Sequence, residues 1–131
     1  MVVDDDPISN MLCEHILRRL PVESEIQLYA EPMEALKAIE ENYKEPNHNK
    51  ATVLFLDINM PSMSGWDFLA AFEQLSSHIQ RQFRIYMLSS SVDQRDKEQA
   101  RANQLVSGFV VKPLKLPDLG ELLAGSGESR S

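Results

Sequence analysis

The sequence predicts an α/β fold in which helices cover both faces of one parallel β-sheet. Segments of strand character and segments with helical spacing of apolar residues alternate five times along the 131 residues. Residues 53–56 form an unbroken apolar run, which is typical of a strand buried on both faces. The length suits one domain, which we place at residues 1–124. We expect residues 125–131 to be a disordered C-terminal tail.

The predicted elements alternate strictly between strand and helix. The five strands span residues 1–3, 26–30, 52–56, 83–88 and 108–111. The five helices span residues 7–20, 32–43, 64–75, 93–103 and 117–124. Right-handed crossovers between parallel strands complete a doubly wound sheet from such a pattern.

In the first half of the chain, caps and prolines mark where the helices begin. Asp6 can cap the first helix, and Pro7 suits its first position. Apolar residues recur along this helix at helical spacing, and these are Ile8, Met11, Leu12, Ile16 and Leu20. The second helix begins at Pro32, and its apolar residues are Met33, Leu36, Ile39 and Tyr43. Residues 44–50 are polar and rich in turn formers, so we expect a surface loop before the third strand.

In the second half, the helices differ in how much apolar surface they offer. The third helix places Phe68, Leu69, Phe72 and Leu75 on one face. The fourth contains few large apolar residues, so we expect it to pack lightly. The fifth is short and contains Gly120. Ser89 follows the fourth strand and Lys112 follows the fifth.

Composition argues against several classes of function. The 13 basic and 20 acidic side chains give a formal net charge of −7, which argues against a general nucleic-acid surface. No apolar stretch approaches the roughly 20 residues that span a bilayer, and no signal peptide is visible. Cys13 is the single cysteine, so an intrachain disulfide or a Cys-based zinc site is not expected. We therefore expect a cytoplasmic protein without membrane partners.

Polar side chains of complementary chemistry follow four of the predicted strands. They are Asp4 and Asp5 after the first strand, Asp57 after the third, Ser89 after the fourth and Lys112 after the fifth. Ligands of open α/β sheets bind outside the carboxyl ends of the strands, where these residues would meet. Clustered carboxylates attract a cation, and oxygen ligands suit Mg²⁺. Asp57 can then act as a nucleophile toward a phosphoryl group, with Ser89 and Lys112 contacting its oxygens.

Each of these residues also has a purely structural interpretation. Asp6 is best explained as a helix cap, and Asp4 and Asp5 taken alone fit a cap as well as a site. Lys112 taken alone fits a solvated surface lysine, and Ser89 fits an ordinary loop serine. The joint occurrence of complementary residue types at four strand ends favours the functional interpretation.

Four segments together resemble the receiver domain of two-component response regulators. They are VVDDDP, LFLDINMPSMSGWDFL, YMLSSS and SGFVVKPL, in the order and at spacings compatible with that family. The resemblance extends over nearly the whole chain and points to a single-domain, chemotaxis-regulator-like member. It implies a flavodoxin-like five-stranded sheet with strand order 2-1-3-4-5. It also implies a phosphorelay in which a histidine kinase or a histidine phosphotransfer protein phosphorylates an aspartate.

The same resemblance implies a set of Mg²⁺ ligands. Asp57 corresponds to the phosphoacceptor of the family and is itself a metal ligand. Asp5 corresponds to the direct metal ligand, and Asp4 to its acidic neighbour, which often acts through water. Asn59 corresponds to the residue that gives its backbone carbonyl to Mg²⁺.

Phosphate sensing and output are further implications of the resemblance. Ser89 and Lys112 match the hydroxyl and the lysine that contact the phosphoryl group. Phe109 matches the aromatic switch residue, which turns inward when Ser89 moves. The face formed by the fourth helix, the fifth strand and the fifth helix would then change shape for a downstream protein. Because nothing follows residue 131, output would come from binding another protein or from passing the phosphoryl group along a relay.

Two other functions fit parts of the same pattern. A phosphatase of the haloacid dehalogenase type also uses Mg²⁺ and an aspartate at a strand end. It needs a second aspartate two residues later, and Asn59 occupies that position. A pseudo-receiver that serves as a scaffold would not need a complete acidic pocket. We therefore expect no enzymatic activity beyond Mg²⁺-dependent self-phosphorylation and autodephosphorylation at Asp57.

Overall fold

The computed structural model describes residues 1–20, 25–45, 52–91, 93–117 and 119. Its strands are β1 Val2–Val3, β2 Leu28–Tyr29, β3 Thr52–Asp57, β4 Phe83–Ser89 and β5 Val106–Val111. Its helices are α1 Pro7–Leu17, α2 Pro32–Asn42, α3 Gly65–Phe72, α4 Ser77–Gln80 and α5 Gln94–Ala102. The predicted alternation of strands and helices is confirmed, with α4 as an additional helix between α3 and β4.

The five strands form one parallel sheet in the order β2-β1-β3-β4-β5. Both the predicted fold class and the predicted strand order are therefore confirmed. The register between β3 and β4 ends with Asp57 opposite Leu88, and Ser89 pairs with Val111 of β5. The strands thus deliver Asp57, Ser89 and the residue after Val111 to the same edge of the sheet.

Short polar contacts determine where the helices begin. The side chain of Asp6 caps α1 by accepting the N–H of Ile8 at 3.0 Å, as predicted. Ser64 caps α3 in the same way, because its hydroxyl accepts the N–H of Asp67 at 3.0 Å. In the part of the chain that the structure describes, no helix combines the length and the apolar character of a membrane span.

Two predictions concern segments that are mostly outside the described residues. The surface loop expected at residues 44–50 is described only at its first two residues. The last predicted helix, residues 117–124, is described only at Pro117 and Leu119, which are both helical. The predicted tail at residues 125–131 lies outside the described residues altogether.

Two apolar layers cover the sheet, because alternate residues of a strand point to opposite faces. Leu54 and Leu56 belong to the layer that contains the buried residues of α2 and α3. Phe55 belongs to the opposite layer with Cys13 of α1, and its ring stacks on Tyr86 with centroids 5.8 Å apart. The uninterrupted apolar run of β3 is explained by this burial on both faces.

The apolar residues of α1 are divided between the core and the surface. Cys13 is buried, and Ile16 packs against the same layer. In contrast, Ile8, Met11 and Leu12 are 63%, 58% and 52% exposed. The first half of α1 therefore presents an apolar surface beside the carboxyl edge of the sheet.

The helix α5 is the most weakly packed of the longer helices, as predicted for its polar sequence. Ala100 is its one buried residue among those that the structure describes. Its N-terminal cap, Asp93, accepts the N–H of Arg95 at 2.9 Å. Burial thus contributes little to holding α5 on the sheet.

Candidate functional site

A cleft of about 480 Å³ opens at the carboxyl edge of the sheet, beside the start of α1. Most of the polar side chains around it come from the ends of β1, β3, β4 and β5. Among them are Asp4, Asp5, Asp57, Asn59, Ser90 and Lys112. The cleft therefore lies where the sequence predicts a site, at the ends of neighbouring parallel strands.

Three carboxylates converge in this cleft. One oxygen from each of Asp4, Asp5 and Asp57 lies within 4.8 Å of the others. Asp4 and Asp57 are buried, whereas Asp5 is half-buried and the most accessible of the three. Such a set of hard oxygen donors fits a divalent cation of the Mg²⁺ class, and the same charges repel one another without a cation. The residues present therefore fit the predicted metal site.

Lys112 joins two of the carboxylates. Its Nζ lies 2.7 Å from Asp4 Oδ2 and 3.2 Å from Asp57 Oδ1, and the side chain is only 18% exposed. The backbone N–H of Lys112 donates to Ser89 O at 2.7 Å, and its peptide bond to Pro113 is cis. The alternative interpretation of Lys112 as a solvated surface lysine is therefore wrong.

The environment raises the pKa of two groups in the cleft, the carboxyl group of Asp57 and the ammonium group of Lys112. Burial, reinforced by the charge of Asp4, raises the pKa of Asp57 from 3.8 to about 6, although Lys112 opposes the shift. Burial alone would lower the pKa of Lys112, but its hydrogen bond to Asp4 and the charge of Asp57 hold it above its ordinary value. The site therefore contains a firmly protonated lysine beside a carboxylate that ionises less readily than usual.

Cys13 also lines the cleft, and its environment favours the protonated thiol. Burial raises the pKa of Cys13 to about 11, and the charge of Asp4 adds to this effect. The thiol stays protonated at neutral pH, and the thiolate is the reactive form. Cys13 is thus a buried apolar residue, as the sequence suggested.

The start of α1 holds Asp4 in place through three hydrogen bonds. The hydroxyl of Ser9 donates to Asp4 Oδ2 at 2.6 Å, and the N–H of Asp6 donates to Asp4 Oδ1 at 3.0 Å. The side-chain amide of Asn10 donates to the carbonyl oxygen of Asp4 at 2.8 Å. No role for Ser9 or Asn10 was predicted from the sequence. The available signal was a pair of polar residues one turn after the Asp4–Asp6 segment, in a helix rich in apolar residues.

The loop after Asp57 returns to the sheet through a close contact at Gly65. The N–H of Gly65 donates to Ile58 O at 2.8 Å. A Cβ atom at this position would lie 2.7 Å from the carbonyl oxygen of Asp57 and 2.9 Å from Cε of Met87. Only glycine allows α3 to begin this close to the backbone of the predicted phosphoacceptor.

The structure does not bring the Ser89 hydroxyl to the carboxylates. Ser89 is buried, and its hydroxyl donates to Ser91 O at 2.8 Å and accepts the Ser91 N–H at 3.2 Å. Phe109 is half-buried and packs against the layer that contains Met87, its partner in the register. The proposed phosphate contact of Ser89 and the switch role of Phe109 therefore stay predictions.

Comparison with known proteins extends these observations. A family model described as the response regulator receiver domain matches residues 1–124. The structure of a two component response regulator from Cytophaga hutchinsonii is 32% identical with a TM-score of 0.84, and the match covers 94% of this chain and 91% of that chain. A response regulator receiver protein from Dyadobacter fermentans DSM 18053 is 28% identical with a TM-score of 0.82, covering 93% and 91% of the two chains.

A longer protein contains a similar region. The cyclic di-GMP phosphodiesterase response regulator RpfG of Xanthomonas campestris pv. campestris (strain 8004) is 26% identical over 119 residues. The match covers 91% of this chain but 29% of that protein. The chain therefore spans less than a third of the length of this relative.

Proposed function

The chain belongs to the response regulator receiver domain family of two-component signalling, and from this premise we propose that Asp57 is phosphorylated to control binding of another protein. The observation that carries the proposal is the convergence of three carboxylates and one lysine in a single cleft. These groups are the metal ligands, nucleophile and positive charge that phosphoryl transfer requires. The donor is a phosphohistidine, carried by a histidine kinase or a histidine phosphotransfer protein of a phosphorelay. We place these events in the cytoplasm.

Asp5, Asp57 and the backbone carbonyl of Asn59 would hold Mg²⁺, with Asp4 acting through water. Asp5 is the accessible carboxylate of the cluster, and Asn59 lines the same cleft. Asp4 is buried and already accepts hydrogen bonds on both carboxylate oxygens, which suits an indirect role. When bound, the metal supplies positive charge that offsets the carboxylates and the incoming phosphoryl group.

The protein itself supplies the nucleophile and the positioning of the phosphoryl group. A carboxylate oxygen of Asp57 forms the new P–O bond while the P–N bond to the donor histidine breaks, and the imidazole leaves. Lys112 Nζ, already 3.2 Å from Asp57 Oδ1, donates to an oxygen of the transferred group. Attack of water on phosphorus later releases inorganic phosphate and restores the Asp57 carboxylate.

The exposed apolar surface of α1 is the proposed contact for the phosphodonor protein. Ile8 and Leu12 line the cleft, and Met11 lies on the same exposed side of α1. Contiguous exposed apolar residues mark interaction sites on soluble proteins. A donor that packs on this surface brings its phosphohistidine directly to the cleft that contains Asp57.

The proposed output surface is built on β5 and the helices next to it in the chain. To reach the phosphoryl group, the Ser89 hydroxyl must exchange its bond to Ser91 O for one to a phosphoryl oxygen. Phe109 then turns inward, and the face made of α5, β5 and the helix that follows changes shape. The weak packing of α5 favours this step, since Ala100 is its one buried residue in the described part of the chain. A downstream protein would read the changed face.

Phosphorylation by a small donor tests this proposal directly. Wild-type protein is incubated with acetyl phosphate and Mg²⁺, and its intact mass is measured. We expect one added phosphoryl group on wild type, none on Asp57→Asn, and an unchanged gain on Asp67→Asn, which removes an exposed acid in α3. No added mass on wild type, or an equal gain on Asp57→Asn, would sink the assignment. Steady turnover of small phosphate esters would instead support a phosphatase.

A further inference from the structure

Every oxygen of the Asp4 residue is bound by a donor from the protein. Its Oδ1 accepts the N–H of Asp6, and its backbone oxygen accepts the side-chain amide of Asn10. Its Oδ2 accepts two donors, the hydroxyl of Ser9 at 2.6 Å and the ammonium of Lys112 at 2.7 Å. Because the Asp4 side chain is fully buried, the loss of a protein donor from one of its oxygens is costly.

The two donors on Asp4 Oδ2 differ in what else they bind. Lys112 also lies 3.2 Å from Asp57 Oδ1, so it is shared between Asp4 and the predicted phosphoacceptor. The hydroxyl of Ser9 can donate one hydrogen bond, and it is given to Asp4. When Lys112 moves toward a group on Asp57, Ser9 is the donor that stays behind on Asp4 Oδ2.

We propose that Ser9 is a positioning residue that lets Lys112 transfer from Asp4 to the phosphoryl group on Asp57. The proposal rests on the function proposed above. Without the hydroxyl, the transfer would leave a buried carboxylate oxygen with no protein donor, which is costly. Lys112 would then remain on Asp4, and the phosphorylated state would lose one of its stabilising contacts. Binding of the metal alone does not require this transfer.

Beryllofluoride, a stable mimic of a phosphoryl group on a carboxylate, allows the transfer to be measured at equilibrium. Its affinity is determined by ¹⁹F NMR at saturating Mg²⁺, and the affinity for Mg²⁺ alone by calorimetry. The informative variants are Ser9→Thr and Ser9→Val, which have nearly the same shape and differ in the hydroxyl. Ser62→Ala is a matched control, because the Ser62 hydroxyl also donates to a carboxylate, that of Glu31, at an exposed position.

We expect Ser9→Val to weaken beryllofluoride binding about tenfold, the scale of one lost donor to a buried acceptor, and Ser9→Thr and Ser62→Ala to change it less than about twofold. We expect the affinity for Mg²⁺ alone to stay within about twofold of wild type in every variant. Ser9→Cys, whose thiol is a weaker donor of similar size, provides a second test and should give an intermediate loss.

Two results would overturn the role of Ser9. Equal beryllofluoride affinity for Ser9→Val and Ser9→Thr would mean that Lys112 moves without this hydroxyl. An equal loss of affinity for Mg²⁺ alone would place Ser9 in the metal site instead. Failure of the wild-type protein to bind beryllofluoride would refute the proposed function itself, which is a separate outcome.

Discussion

The buried negative charge of Asp57 should lower the free energy of unfolding of the protein, and Asp57→Asn should remove this destabilisation. The pKa of Asp57 is raised from 3.8 to about 6, so between these values the folded state binds a proton more tightly than the unfolded state. Stability therefore falls as pH rises through this window and reaches its lower plateau above pH 6. In Asp57→Asn the side chain at position 57 carries no charge at any pH, so this variant should not lose stability as the pH rises through this window.

The magnitude follows from the size of the shift. About two pKa units correspond to about 3 kcal/mol, and since the cleft is open to solvent we take about half, near 1.5 kcal/mol. Without Mg²⁺ at pH 8, Asp57→Asn should therefore be about 1.5 kcal/mol more stable than wild type, and near pH 4.5 the difference should shrink to about a third. Added Mg²⁺ should stabilise wild type and narrow the difference at pH 8.

Urea unfolding of both proteins at pH 4.5, 6 and 8, with and without Mg²⁺, measures these differences. Asp67→Asn is the control, because it removes an exposed acid and should show no stabilisation at any pH. A pH-independent difference between wild type and Asp57→Asn would refute the reasoning. So would a variant less stable than wild type at pH 8, because the pair with Lys112 would then outweigh the cost of burying the charge.

Three further predictions concern other residues of the site. Lys112→Met leaves Asp4 and Asp57 without their shared cation, so we expect the free energy of unfolding in urea at pH 8 to fall by about 2–4 kcal/mol. We also expect the variant to gain phosphoryl mass from acetyl phosphate at least tenfold more slowly than wild type. Gly65→Ala forces a Cβ against the carbonyl oxygen of Asp57 and should lower the free energy of unfolding in urea by about 1–3 kcal/mol. An unchanged free energy of unfolding would mean that α3 moves freely. Ile8→Glu should leave the rate of phosphorylation by acetyl phosphate within about twofold of wild type, but it should slow transfer from the cognate histidine kinase at least tenfold. A phosphotransfer time course measures both rates. Equal slowing with both donors would contradict the docking role of α1.

The sheet and the location of the site could be predicted because they depend on strong local patterns. The strand β3, whose apolar run precedes Asp57, ends at Asp57, within one residue of the predicted boundary. The predicted second strand, residues 26–30, is shortened to Leu28–Tyr29 because this edge strand pairs only with β1, which is itself two residues long. The helix α4 was not predicted, since four residues are too few for a periodic pattern and Ile79 is its one buried residue.

The detailed contacts of the site depend on geometry that the sequence does not encode locally. Helical spacing identifies α1, but it does not indicate that Ile8 and Leu12 face the cleft rather than the core. Three successive serines do not reveal that the Ser89 hydroxyl binds within its own turn. The contact between Lys112 and Asp4 joins residues 108 positions apart, and only the sheet topology brings them together.

In the proposed function, Asp57 carries the phosphoryl group as an acyl phosphate. The most direct measurement treats the protein with acetyl phosphate and Mg²⁺, reduces it with borohydride, which converts a phosphorylated aspartate to homoserine, and identifies the modified peptide by tandem mass spectrometry. We predict homoserine at residue 57 and unmodified aspartate at Asp4, Asp5 and Asp67. Modification at any of these other acids with Asp57 unchanged, or no modification in a folded protein that binds Mg²⁺, would contradict the account.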